Sequence, residues 1–185
     1  MRTFLNRALS FFVLLPFLFS LVSCSPSMTA GLEAFQSSDG RYGFFYPTGW
    51  TRIAVKGGPE VVFHDLINSD ETLSLVVSDV SPEIELDKIG SPLEVGERLM
   101  NNLLAPNGGD RLAELINAEE REVDGHVFYD IEYLIHLPQK DRHELATVIV
   151  DHGSLFTFAA GTNDARWVKV EDLFKRVISS FSFFI

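Results

Sequence analysis

From Val127 to Leu137 the chain is apolar at every second position: Val127, Tyr129, Ile131, Tyr133, Ile135 and Leu137, with Asp130, Glu132 and His136 between them. Side chains of a strand alternate between its faces, so this run predicts a long strand with one face held against a core. A long half-buried strand cannot stand alone, and the flanking sequence supplies its neighbours. Asp124-Gly125 is a favoured two-residue hairpin turn, entered by strand-prone sequence from about Ala113. Beyond it, His143 to Val150 and Leu155 to Ala160 form a second hairpin through Asp151-His152-Gly153-Ser154. Upstream, Val61 to Leu66 and Thr72 to Val80 read as a third, because Leu73, Leu75 and Val77 alternate with Ser74, Val76 and Ser78. The aromatic segment Arg41 to Pro47 is a further strand, closed by the turn Pro47-Thr48-Gly49-Trp50.

Two segments carry the helical period instead. Ser91-Pro92-Leu93-Glu94 combines an N-cap serine, proline at the first helical position and glutamate three residues on, which predicts a helix continuing to about Leu104. Its Val95, Leu99 and Leu103 lie on one face for packing on a sheet. Near Asn163 a second helix begins, with Trp167, Val170, Phe174, Val177 and Phe181 at three- and four-residue steps. Hairpins interrupted by one helix and closed by another define an α+β class, with a central antiparallel β-sheet sandwiched between α-helices.

The first residues fix the compartment. Arg2 and Arg7 precede an apolar run from Ala8 to Leu21, and the segment ends in Leu21-Val22-Ser23-Cys24. This is the pattern of a lipoprotein signal peptide, residues 1–23, cut before a cysteine whose thiol takes a diacylglyceryl group. The apolar run is short of the roughly 20 residues that a membrane span needs. Cys24 is the single cysteine, so lipidation rather than an intrachain disulfide accounts for it. Residues 24–36 then read as a lipidated flexible tether and 37–185 as one domain.

Removing Arg2 and Arg7 with the signal leaves 13 of the 15 basic residues against all 26 acidic ones, a formal charge of −13. Nucleic acid and anionic lipid headgroups are poor partners for such a surface. Enzyme chemistry lacks a signature: Gly57-Gly58-Pro59 and Asn107-Gly108-Gly109 are plain turns without the lysine or helix start of a phosphate loop. Glu119-Glu120 and Asp130/Glu132 read as a solvated acidic face, and the five histidines, His64, His126, His136, His143 and His152, show no close-spaced zinc pattern. One constellation follows from register. With His152-Gly153 as a two-residue turn, cross-strand partners sum to 305, so His143 faces position 162 and Asp164 is its diagonal neighbour, roughly 5 to 8 Å away. The two side chains could share a Zn²⁺, Mn²⁺ or Ca²⁺ ion with water completing the shell. They equally suit a structural role, His143 paired with a carboxylate and Asp164 helping to cap the last helix.

The stretches RYGFFYPTGW, FHDLINSDETLSLVVSDV, GSPLEVGERLM, EREVDGHVFYDIEYLI, RHELATVIVDHGSLFTFAAGTNDARW and the closing SFSFF resemble, in that order, the PsbP family, and within it the cyanobacterial lipoprotein branch. The resemblance implies a non-enzymatic protein on the lumenal side of the thylakoid membrane. Such a protein would bind photosystem II reaction-centre subunits or assembly intermediates and assist assembly or stabilisation. The alternative function is a ligand- or metal-carrying envelope lipoprotein unrelated to photosystem II, which would need a concave, partly apolar pocket.

Overall fold

The computed structural model describes residues 29–106 and 109–184. The expected signal peptide and Cys24 lie outside them. Among the described residues, ten strands and three α-helices follow in the order β1 (Leu32–Gln36), β2 (Tyr42–Pro47), β3 (Thr51–Ile53), β4 (Val61–His64), β5 (Thr72–Asp79), α1 (Leu86–Ile89), α2 (Pro92–Leu99), β6 (Leu112–Val123), β7 (His126–His136), β8 (Asp141–Asp151), β9 (Ser154–Asn163), α3 (Trp167–Ile178) and β10 (Ser182–Phe183). Seven strands make the main sheet in the order β3-β4-β5-β9-β8-β7-β6, with every neighbouring pair antiparallel. A second sheet, β1-β2-β10, has three strands.

The main sheet separates two cores because each of its central strands sends alternate residues to opposite faces. On one face Leu145, Ile149, Phe156, Phe158 and Ala160 meet Val170, Phe174 and Val177 of α3, together with Tyr42 and Phe44 of the small sheet. On the other, Tyr129, Ile131, Tyr133, Ile135 and Val148 meet Leu86 of α1 and Val95 of α2. The sandwich is therefore as expected on the α2 side, whereas the α3 side is closed jointly by a helix and a second sheet.

The turns set this geometry. Asp124 (φ 52°) and His152 (φ 44°) are the non-glycine residues with positive φ among the described residues, and each is followed by a positive-φ glycine, Gly125 and Gly153. Two consecutive positive-φ residues make the primed turn whose twist matches that of the flanking strands. β8 pairs β9 with Asp151 opposite Ser154 and His143 opposite Thr162, the register the turn predicts.

Two expectations need correction. The tether does not extend to Gln36: Leu32–Gln36 is β1, paired along its length with β2. With apolar side chains only at Leu32, Ala34 and Phe35, β1 depends on β2 and on the ring stack of Phe35 with Phe44 rather than on its own pattern. The helix that opens at Ser91, with both halves of its capping box formed, reaches Leu104, but its last five residues, Met100–Leu104, wind as a π-helix. The wider turn rotates the packing stripe, so Leu104 meets the core while Leu103 is 57% exposed. Gly96 lies buried on the sheet side of α2, where a Cβ would meet the Leu115 and Ile131 methyls at 3.1 and 3.2 Å. That approach lets the buried Tyr133 hydroxyl donate to the Gly96 carbonyl at 2.9 Å.

Phe174 is fully buried. Phe174→Ala should lower stability by about 3–5 kcal/mol. Leu103→Ala, on the face the sequence assigned to packing, should change it by less than about 0.5 kcal/mol. Urea unfolding of both variants checks the pair.

Candidate functional site

β8 reaches the α3 face with His143 at its start, and β9 leads through a 3-10 turn, Asp164–Arg166, into α3. His143 is 7% exposed, and its ring lies flat on Trp167, the first residue of α3, with centroids 3.9 Å apart and planes inclined by 6°. Its two nitrogens face carboxylates on opposite sides: Nδ1 is 3.0 Å from Asp164 Oδ1, and Nε2 is 2.7 Å from Glu132 Oε1 on β7. Both ring nitrogens are therefore within hydrogen-bond distance of a carboxylate oxygen.

The expected His143/Asp164 juxtaposition is thus present, at hydrogen-bond distance. Asp164 does not cap the helix: the Asn163 side chain accepts from the Ala165 amide at 3.0 Å, and Asn163 is the N-cap of the 3-10 turn. The β8–β9 register alone does not reach Glu132, the second partner, which lies on β7. The signal for it was Pro138-Gln139, which as a turn between β7 and β8 sets Leu134 opposite His143 and makes Glu132 a diagonal neighbour. Neighbouring charges are also paired. Glu71, 3% exposed, accepts from Arg166 Nε at 2.6 Å, and Arg142 reaches the Thr72 hydroxyl at 2.6 Å while lying across Gly161, where any Cβ would overlap it. The Thr162 hydroxyl, buried opposite His143, has no hydrogen-bond partner among the described residues. No group of three or more His, Cys, Asp or Glu among the described residues converges on a point that could hold a metal ion.

α3 covers β8 and β9 but leaves the same face of β6 and β7 open. The result is a groove of about 300 Å³ lined by Glu119, Arg121, Asp130, Glu132, Lys175 and Arg176 among others. Arg121 donates to Asp130 at 2.7 Å and sits over the Phe128 ring, its guanidinium carbon 4.4 Å from the centroid. The groove is open to water, and its charged side chains stand beside the apolar Leu145 and Ile178.

An antiparallel sheet divided between two cores, one closed by α1 and α2 and the other by α3 with a second small sheet, is a mixed α+β sandwich. The chain belongs to the PsbP family, whose model matches residues 30–183. It is 38% identical to CyanoP of Thermosynechococcus vestitus over 98% of both chains. With CyanoP of Synechocystis sp. it shares 41% identity over 88% of this chain and 89% of the relative. The solution structure of the Synechocystis protein superposes with a TM-score of 0.74 at 40% identity, covering 89% of this chain and 99% of that one. The PsbP-like α+β fold read from the sequence is thereby shown.

At the same end of the sheet His136 lies between Asp141, 2.9 Å from Nδ1, and Glu114, 3.2 Å from Nε2. The hydrogen bond to Asp141, then that to Glu114, raises its pKa above the ordinary 6.5. A raised folded-state value contributes stability that is complete below the unfolded pKa and is lost as pH rises through the folded one. NMR titration should place the His136 midpoint above 6.5. The stability advantage of the wild type over His136→Gln should fall as pH rises through that midpoint; a midpoint at or below the unperturbed value contradicts the pairing.

Proposed function

We propose that this chain is a lumenal, lipid-anchored, non-catalytic protein of the thylakoid membrane that binds photosystem II and assists its assembly or stabilisation. The observation that carries the reading is family membership across residues 30–183, together with 38% identity to CyanoP over 98% of both chains. The site's chemistry agrees with a binding role. His143 pairs with Glu132 and Asp164, and Glu71 with Arg166, while the groove beside them carries the Arg121–Asp130 and Lys175–Glu171 pairs at or near its lining. Attachment rests on Cys24, where two acyl chains would hold what one binds only marginally. A carrier function would need an enclosed pocket, and the groove on the α3 face is open to solvent.

Affinity-tagged chain purified from a cyanobacterial host should bring down photosystem II subunits from reaction-centre or assembly complexes, identified by mass spectrometry. Recovery of none, at any stage of assembly, sinks the proposal.

A second reading, a divalent ion shared by His143 and Asp164, is motivated by their 3.0 Å approach. An ion there would have to take the place of the Nδ1 hydrogen bond, and Glu132 would remain on Nε2 as the group that orients the ring. Calorimetric titration of Zn²⁺ or Mn²⁺ into the wild type, His143→Ala and Asp164→Ala should show binding in the wild type that either substitution weakens. Equal heats in all three assign the pair to structure alone.

A further inference from the structure

Four large apolar side chains stand out by exposure: Ile67 at 90%, Val168 at 87%, Leu112 at 72% and Leu66 at 67%. They come from three separate connections, yet the topology brings all four to one end of the main sheet. Across that end run the pairings Thr51 with His64, His64 with Thr72, Thr72 with Gly161, and Gly161 with Glu144. The loop holding Leu66 and Ile67 joins β4 to β5 at this line. Val168 is the second residue of α3, just after β9 ends there, and Leu112 starts β6 opposite His136 beside the β7–β8 turn.

The loop that holds Leu66 and Ile67 is built to present them. Asp65 Oδ1 accepts from the Ile67 amide at 2.8 Å and Oδ2 from the Asn68 side chain at 2.7 Å, a local turn that holds its tip outward. The loop's carboxylates are meanwhile drawn into bonds: Asp70 with Lys140, Glu71 with Arg166. Leu66 and Ile67 are left as the large exposed side chains of the tip, with the small Ser69 beside them.

The chain's entry lies at this same end. Leu32 pairs with Pro47, and the Thr48 amide donates to the Gly31 carbonyl, so β1 starts beside the turn that leads into β3 at Thr51. Eight residue steps separate Cys24 from Leu32, at most about 29 Å of extended chain. We infer that the end of the sheet bearing Leu66, Ile67, Leu112 and Val168 rests on the lipid surface, with the Leu66-Ile67 tip entering the bilayer interface. The inference rests on lipidation at Cys24. A short tether keeps the tip at millimolar effective concentration near the bilayer, so a contact too weak to bind a free domain is enough to orient an anchored one. That orientation turns the opposite end, with its Asp124-Gly125 and His152-Gly153 turns, away from the membrane.

The lipidated full chain, reconstituted in phosphatidylcholine vesicles, tests this. With Cys24 consumed by the anchor, a cysteine placed at Ile67→Cys is the one free thiol for an environment-sensitive fluorophore. Val123→Cys, at the opposite end and 41% exposed, is the control. Nitroxide-labelled phosphatidylcholine should quench the label at position 67 several-fold more than the label at 123, with a blue-shifted emission at 67 alone. Equal, weak quenching at both sites on chain that floats with the vesicles overturns the inference and leaves the lipoprotein reading intact; this is also the outcome if the tip is a protein-binding surface. Chain that does not float with vesicles removes the anchor, and the inference falls with it.

Discussion

The register of the β8–β9 hairpin is the constraint on which the rest of the molecule depends. Its two-residue turn, His152-Gly153, has both residues at positive φ, and from it ten cross-strand pairs run to Arg142 opposite Asn163. Strands β8 and β9 occupy the middle of the main sheet and are covered on both faces, so each residue's parity decides which core it enters. Leu145, Ile149, Phe156 and Phe158 belong to the α3 core; Val148 and, at its margin, Val150 and Leu155 belong to the α2 core. A slip of one residue would exchange these sets and turn the Phe156 and Phe158 rings into the space that α1 and α2 fill. His143 would leave Trp167 in the same movement.

The chemistry at the end of the sheet inherits that register. His143 meets Glu132 through β7 and Asp164 through the exit from β9, while Trp167 closes the face of its ring. Glu71, just before β5, and Arg166, just before Trp167, join the start of β5 to the start of α3. These contacts pin the helix that covers one core to the sheet that carries it, and they leave the uncovered faces of β6 and β7 as the groove.

Much of this was legible in the sequence because it rests on local rules. Asp124-Gly125 and Asp151-His152-Gly153-Ser154 name their turns, alternation from Val127 to Leu137 names its core face, and Ser91 with Glu94 names a helix start. The His143/Asp164 contact followed from turn length and parity alone. What escaped has tertiary causes. β1 and β10 are short strands that exist because β2 pairs with both, and β3 is an exposed edge whose three residues carry no alternation to detect. The π-helical turn at Met100–Leu104 continues a helical pattern without marking its change of winding, so Leu103 was placed inward when Leu104 is the residue that packs. In β6 the pairing shifts between Leu115 and Asn117, and the bulge leaves Ile116 half exposed in a segment that otherwise reads as a regular strand.

Native-state hydrogen exchange tests the central dependence most directly. If the β8–β9 hairpin carries both cores, the amides of its paired interior, from Leu145 to Ile149 and from Phe156 to Ala160, exchange only through global unfolding. Their exchange free energies then equal the unfolding free energy from denaturant titration, while β3 and β10 open sooner. Exchange of those central amides by local opening, well below the global value and with β6 and β7 still protected, would contradict the account.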